Sequence, residues 1–101
     1  MTTAENPTER TTPLVSVVIP VYNAEQAICE TLDSVFSQTH QNLQIIVVDD
    51  ASTDGSVERI QRYSDSRLEL LRLPKNGNVV AARNAGLDRV KGDYVALCRS
   101  M

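Results

Sequence analysis

The chain has 101 residues, of which 42% are hydrophobic and 23% charged, so it fits one small globular domain and is too short for two. Its 13 acidic and 10 basic side chains give a net charge of −3, and its three tyrosines and one phenylalanine are not interleaved with basic residues. This balance argues against nucleic acid as a partner. No apolar stretch approaches the roughly 18 residues that a membrane-spanning helix needs.

The N-terminal residues and the cysteines bear on the compartment. Residues 1–13 are polar and contain no apolar segment, so they do not resemble a secretory signal, and we expect a flexible tail there. Cys29 and Cys98 lie far apart and in no metal-ligand spacing, which favours buried thiols in a reduced, cytoplasmic protein. We expect the domain to occupy residues 14–101.

The first elements along the chain are a strand and a helix. Residues 14–20 are rich in β-branched side chains, and Pro20, which has no N–H, predicts the end of the strand. Asn23 is placed to cap the helix, with Gln26 returning the hydrogen bond. The helix then has one apolar face, formed by Ile28, Leu32, Val35 and Phe36.

The alternation of strands and helices continues to the end of the chain. Residues 43–49 are apolar at consecutive positions, which predicts a central strand covered on both faces. Residues 50–54 supply Asp and Ser caps for a shorter helix whose inner face carries Val57, Ile60 and Tyr63. The remaining predicted elements are a strand over residues 68–73, a helix over residues 79–90 closed by Gly92 at C′, and a strand over residues 93–98.

This order predicts a Rossmann-like α/β fold, an open parallel sheet with helices on both faces. Ligands of such sheets bind at the carboxyl ends of the strands. The loops that follow the first two strands are therefore the candidate site. Tyr22 offers a nucleotide base a surface for stacking, and Asp50 offers a carboxylate for a base or ribose donor.

Other readings of these loops stay open. Tyr22 is equally an ordinary turn aromatic, and Asp49 and Asp50 are equally a helix-capping acidic loop. The adjacent carboxylates also fit a metal site or a phospho-receiver pocket. In the receiver fold, however, the acidic pair follows the first strand, whereas here it follows the second.

Arg83 is the candidate cation of the site, since its planar guanidinium can meet a diphosphate from the start of the third helix. An ion pair with Asp49, Asp50 or Asp54 is the alternative. His40, the single histidine, is expected to be a loop residue. The chain contains no Walker loop, GxGxxG motif, zinc-ligand spacing or GxSxG elbow.

Three segments occur in order at consistent spacing: VSVVIPVYNAEQAICETLDSVFSQTHQNLQIIVVDDASTDGS, NGNVVAARNAGL and GDYVAL. Together they resemble the N-terminal, nucleotide-binding half of family 2 glycosyltransferases of the GT-A fold, over about residues 14–97. Members of that family transfer a sugar from a nucleotide diphosphate donor, commonly a UDP-sugar, to an acceptor. They usually invert the anomeric centre and use a divalent cation, Mg²⁺ or Mn²⁺.

The resemblance implies roles for individual residues. Pro20 and Tyr22 would line the base and ribose pocket, and Asp50 would accept a hydrogen bond from the base. Arg83 would lie near the donor. Two further residues count among the nucleotide-sugar-binding set: Asn23, which would shape the turn, and Asp49, which would support the loop.

The resemblance ends at the position of the family's DxD motif, whose carboxylate binds the cation. This chain has Arg99, Ser100 and Met101 there, so we expect it to lack the carboxylate ligands of the metal. The family's acceptor site and general base also come from later sequence, so no catalytic residue is assigned. We expect a truncated donor-binding segment that is inactive alone. The alternative is a non-catalytic nucleotide-binding or regulatory module of the same fold.

Overall fold

A computed structural model describes residues 13–98 of the chain. The segment expected as a tail therefore lies outside the described residues except for Pro13, as do Arg99, Ser100 and Met101. The elements in chain order are β1 (Val15–Val21), α1 (Ile28–Phe36), β2 (Leu43–Asp49), α2 (Ser56–Gln61), β3 (Leu68–Arg72), α3 (Asn78–Leu87) and β4 (Tyr94–Leu97).

The four strands form one parallel sheet in the order β3-β2-β1-β4. Each strand-to-strand connection contains a helix, as parallel pairing requires. β1 and β2 occupy the centre, and β2 has the predicted bounds, with Ile45 to Asp49 buried without interruption. The predicted Rossmann-like α/β architecture is confirmed.

Successive side chains of β1 and β2 enter two different cores. On one face Ile19 and Ile45 pack with Leu32 of α1 and Ile60 of α2. On the other face Val18, Ile46 and Val48 pack with Ala82 of α3. Helices thus cover both faces of the sheet, and the predicted inward face of α1 is confirmed. Complete burial of each Leu or Ile side chain contributes about 1.5 to 3 kcal/mol.

Pro20 does not end β1, contrary to the sequence expectation, because its missing N–H is not needed there. Val21 O accepts the N–H of Asp50 at 2.8 Å, so the odd-numbered residues of β1 turn their backbone groups toward β2. Val18 O accepts the N–H of Cys98 at 2.9 Å, so the even-numbered residues, Pro20 among them, face the β4 side. The pairing with β2 therefore continues through Pro20 to Val21.

The start of α1 also differs from the expectation. The helix begins at Ile28, its N-cap is Ala27, and no side chain caps it. Asn23 lies four residues earlier in the left-handed region, with φ 49°. It is not the helix cap because its side chain bonds to the neighbouring loop instead, where Asn23 Oδ1 accepts the N–H of Thr53 at 2.8 Å.

The third helix ends at Leu87, three residues before the predicted end, and Gly92 is not its C′ residue. The chain beyond the helix is held by side chains of β1 and β2. Lys91 N donates to Gln44 Oε1 at 2.9 Å, and Gly92 N donates to Ser16 Oγ at 2.9 Å. A Cβ at position 92 would lie 2.6 Å from Ser16 Oγ, which accounts for the glycine.

Three further observations concern the part of the chain that the structure describes. No helix over residues 13–98 has the length and apolar character needed to cross a membrane. Cys29 and Cys98 are free thiols, each half-buried against the core that α1 and α2 cover. β4 pairs with β1 at one of its edges, and Tyr94, Val95 and Leu97 are exposed.

Candidate functional site

The carboxyl ends of the strands bring the candidate residues to one rim of the sheet. Pro20, Tyr22 and Asn23 lie at the end of β1, and Asp49 and Asp50 lie at the end of β2. The helix that carries Arg83 begins at the same rim. Tyr22 is 38% exposed, while Pro20 and both aspartates are buried. The sheet thus presents an aromatic ring at the surface above buried carboxylates.

The loops after β1 and β2 are joined by hydrogen bonds from backbone amides to side chains. Asn23 N donates to Ser52 Oγ at 2.9 Å, and Ala24 N donates to Ser56 Oγ at 2.8 Å. One contact has the side chain on the first loop and the amide on the second: Glu25 Oε1 accepts the N–H of Gly55 at 3.0 Å. Sequence reasoning missed Ser56 and Glu25, since only the tertiary fold makes them neighbours.

Asp54 serves both the second loop and the first. Its Oδ1 accepts the N–H of Ser56 at 2.9 Å and the hydroxyl of Ser56 at 2.6 Å. Its Oδ2 accepts the N–H of Glu25 at 3.2 Å. The hydroxyl bond is the largest of the effects that lower the pKa of Asp54 below 3.8. The carboxyl is therefore held in its ionised form, which is an acceptor only.

Both oxygens of the Asp50 carboxylate accept hydrogen bonds from the start of α3. Its Oδ1 accepts the N–H of Gly77 at 2.8 Å, and its Oδ2 accepts the N–H of Asn78 at 2.9 Å. Asn76 Nδ2 donates to the backbone oxygen of Asp50 at 3.3 Å. With 0% of the residue exposed, the loop before α3 covers this carboxylate completely.

Asn78 completes the N-terminus of α3, a role that the sequence did not reveal. Its backbone is in the left-handed region, with φ 86°. Its Oδ1 accepts the N–H groups of Val80 at 2.9 Å and Ala81 at 3.1 Å. The Asn78 side chain and the Asp50 carboxylate therefore share the free amides of the first turn. The available signal was the run Asn76-Gly77-Asn78, which has turn and cap chemistry.

The carboxylate of Asp49 points to a different part of the rim. Its Oδ2 accepts the N–H of Ser52 at 3.1 Å, while its Oδ1 is buried and has no hydrogen-bond partner among residues 13–98. Asp49 lines an open cleft of about 460 Å³ together with Ala51, Ser52, Arg72, Leu73 and Pro74. Ala51, at φ 61°, is a non-glycine residue in the left-handed region.

Arg83 is half-buried in the second turn of α3. The alternative interpretation gave it an ion pair with an aspartate of the acidic loop. Within residues 13–98 the ion pairs are Arg59 with Glu25, Arg67 with Asp65, and Arg89 with Glu69. Over that range the Arg83 guanidinium thus has no acidic partner, so its charge remains open to an anion.

The described residues do not by themselves fit a divalent cation. Mg²⁺ and Mn²⁺ require several oxygen ligands in a compact arrangement. Between residues 13 and 98 no three His, Cys, Asp or Glu side chains converge. The positions at which a cation ligand was sought in the sequence, residues 99–101, lie outside the described part.

The match to a known protein family falls within the residues that the structure describes. The family model described as Glycosyl transferase family 2 matches residues 16–98. The chain is similar to the putative teichuronic acid biosynthesis glycosyltransferase TuaG of Bacillus subtilis, with 43% identity over 90 residues. That match covers 87% of this chain and 36% of TuaG, so the chain spans about a third of the length of this curated relative.

Two solved structures share the fold. One is the mannosyltransferase PcManGT from Pyrobaculum calidifontis in complex with GDP-Man and Mn²⁺, with a TM-score of 0.82 and 30% identity. It matches 96% of this chain and 29% of its own. The other is S. aureus TarS 1-349 in complex with UDP, with a TM-score of 0.80 and 32% identity over 85% of this chain and 27% of TarS.

Proposed function

Because this chain belongs to glycosyltransferase family 2, we propose that its carboxyl-end rim binds the nucleotide diphosphate of a sugar donor, from which the whole protein transfers the sugar to an acceptor. The observation that carries the proposal is the position of Tyr22. This residue is 38% exposed at the carboxyl end of β1, next to the loop that carries Asp49 and Asp50. This is the edge at which open parallel sheets bind ligands.

The base is proposed to stack on Tyr22, with Pro20 and Asn23 shaping the wall beneath it. Stacking of a base on an aromatic side chain contributes about 1 to 3 kcal/mol. Pro20 is buried in the centre of the sheet, one residue before the end of β1. Asn23 contributes through the turn, since its side-chain oxygen is bonded to Thr53.

Asp50 is proposed to accept an N–H of the base. Its two oxygens accept the amides of Gly77 and Asn78 in this structure, so a base reaches the carboxylate only when that segment moves. Asp49 supports the loop through Ser52. Its Oδ1, which has no partner within the described part of the chain, is the competing acceptor, and single substitutions of the two aspartates distinguish them.

Arg83 is proposed to face the diphosphate. A guanidinium pairs with phosphate oxygens through two parallel hydrogen bonds, and Arg83 has no acidic partner within the described range to compete for them. The first residues of α3 lie between Arg83 and Asp50, so a nucleotide spanning both would cross the start of that helix.

The donor is proposed to be a UDP-sugar. UDP and GDP-Man are the nucleotides bound in the TarS and PcManGT structures, and both bases carry a ring N–H beside a carbonyl, which a carboxylate can accept. A divalent cation would supply positive charge to the diphosphate leaving group, but residues 13–98 bring together no set of side chains to hold it. We propose that the 101-residue chain binds the donor without transferring the sugar, since Arg99, Ser100 and Met101 carry no carboxylate side chain. Its free cysteines fit a reducing, cytoplasmic compartment.

Calorimetric titration with UDP tests the proposal, with Tyr22→Ala set against Tyr94→Ala. Both tyrosines are exposed, but Tyr94 begins β4 and lies at the opposite end of the sheet. We expect Tyr22→Ala to weaken UDP binding about tenfold, and Tyr94→Ala to bind like the parent. A parent chain that does not bind UDP, or equal losses in the two variants, would contradict the proposed site.

A further inference from the structure

Three consecutive backbone amides after Tyr22 are all held by side chains from the β2–α2 loop and from the first residue of α2. Asn23 N donates to Ser52 Oγ at 2.9 Å, and Ala24 N donates to Ser56 Oγ at 2.8 Å. Glu25 N donates to Asp54 Oδ2 at 3.2 Å. The amides precede α1, so they have no partner within a helix. The course of the first loop is therefore set by residues 29 to 32 positions later in the sequence.

Asp54 controls two of these three contacts. It holds the amide of Glu25 directly through Oδ2. It holds the amide of Ala24 through Ser56. The Ser56 hydroxyl donates a hydrogen bond to Asp54 Oδ1 at 2.6 Å, which leaves the lone pairs of Ser56 Oγ to accept Ala24 N–H. An ionised carboxylate suits this task, since it accepts at both oxygens and donates at neither.

The turn held in this way determines where the Tyr22 ring lies. Asn23, the next residue, has φ 49°, in the left-handed region that is energetically unfavourable for most non-glycine residues. The contacts with Ser52, Thr53 and Asp54 offset that cost and leave the turn one conformation. Without them the chain would relax to negative φ at Asn23, and the direction of the preceding side chain would change.

We propose that Asp54 is a positioning residue for nucleotide binding: through Ser56 and the amide of Glu25 it fixes the turn that presents Tyr22 to the base. The inference rests on the proposed function, because Tyr22 acts as the base platform there. Asp54 itself touches no nucleotide in this account. Its effect on affinity passes entirely through the turn at residues 22–25.

A role confined to α2 is the competing explanation. Asp54 Oδ1 also accepts the N–H of Ser56, the first residue of that helix, and so stabilises its start. Loss of that contact would lower the stability of the protein without altering the amides of Ala24 and Glu25. The two explanations thus predict different behaviour for the backbone amides of Ala24 and Glu25.

The ligand-free test is amide hydrogen exchange in the 101-residue chain. We expect Asp54→Asn to speed exchange at Glu25 about tenfold or more, since an amide side chain replaces one carboxylate oxygen by a donor. Ser56→Ala, a milder second variant, should speed amide exchange at Ala24, whose N–H loses its acceptor. Asp65→Asn is the matched control, because Asp65 pairs with Arg67 in the turn before β3. Unchanged exchange at both amides would overturn the proposal.

The ligand-dependent test is a double-mutant cycle for UDP affinity with Tyr22→Ala. We expect Asp54→Asn to weaken UDP binding about tenfold in the parent and less than about twofold when Tyr22 is already alanine. If Asp54→Asn weakens UDP binding by the same factor whether or not Tyr22 is present, the proposed coupling is wrong. A parent chain that does not bind UDP would defeat the proposed function, while the exchange measurement would still decide whether Asp54 fixes the turn.

Discussion

Asp50 Oδ1 accepts the backbone N–H of Gly77 at 2.8 Å, and this contact joins the end of β2 to the start of α3. The other oxygen accepts Asn78 N at 2.9 Å, so the whole carboxylate lies on the first turn of the helix. The negative charge there is favourable to the helix dipole. The residue that the sequence assigns to the ligand therefore also has a structural role.

Asp50→Ala is expected to lower both stability and nucleotide affinity. The substitution leaves two amides at the start of α3 without their acceptor, and loss of a hydrogen bond to a charged group costs about 1.5 to 3 kcal/mol. Urea denaturation measures the loss, with Asp88→Ala, at an exposed position after α3, as the charge-matched control. A variant as stable as the parent would show that the Asp50 contacts with Gly77 and Asn78 contribute nothing.

Gly86→Ala is expected to destabilise the protein, although alanine is the better helix former. An added Cβ would contact Val18 Cγ1 and lie 3.1 Å from Val48 Cγ2, and both valines are fully buried in the central strands. Overpacking of this kind costs about 1 to 3 kcal/mol. Asn84→Ala, on the exposed side of the same helix, is the control and should be neutral or stabilising. If thermal melts show Gly86→Ala to be the more stable variant, α3 does not pack this closely on the sheet.

The Asp65–Arg67 pair is expected to contribute stability that is lost in acid. The side-chain hydrogen bond from Arg67 is the main cause that lowers the pKa of Asp65 from 3.8 to about 2. Because the folded-state pKa is depressed, the contribution is present above pH 3.8 and disappears as the pH falls through about 2. The difference in unfolding free energy between the parent and Asp65→Asn should therefore shrink across that range. A difference independent of pH would mean that the pair does not form in solution.

Sequence patterns predicted the elements that local physics determines. β2 was correct at both ends because every one of its residues from Ile45 to Asp49 is buried, and α1 was correct on its inner face. The errors at Pro20, Asn23 and Gly92 share one cause. Each residue is placed by contacts distant in sequence: the pairing of β1 with β2 that continues past Pro20, the Thr53 amide that Asn23 bonds, and the Ser16 hydroxyl that Gly92 approaches.

The candidate site was predictable in its location and less so in its detail. Parallel topology alone places Tyr22, Asp49 and Asp50 at one rim, because each follows the carboxyl end of a central strand. The contacts of Asp50 with Gly77 and Asn78 depend on how α3 lies against the sheet, and no spacing in the sequence reports that. Tertiary packing, rather than residue type, decides that the Asp50 carboxylate binds amides of α3 while Asp49, which is also buried, borders the cleft.

The most direct test of nucleotide binding at the carboxyl-end rim is a titration of the ¹⁵N-labelled 101-residue chain with UDP and Mg²⁺, followed by amide chemical shifts. We expect shifts at residues 22–25, 49–54 and 77–83. We expect none around the 330 Å³ cleft at the opposite end, where Leu14, Gln44 and Lys91 lie. Shifts confined to that opposite cleft, or no shifts at millimolar UDP, would contradict the account.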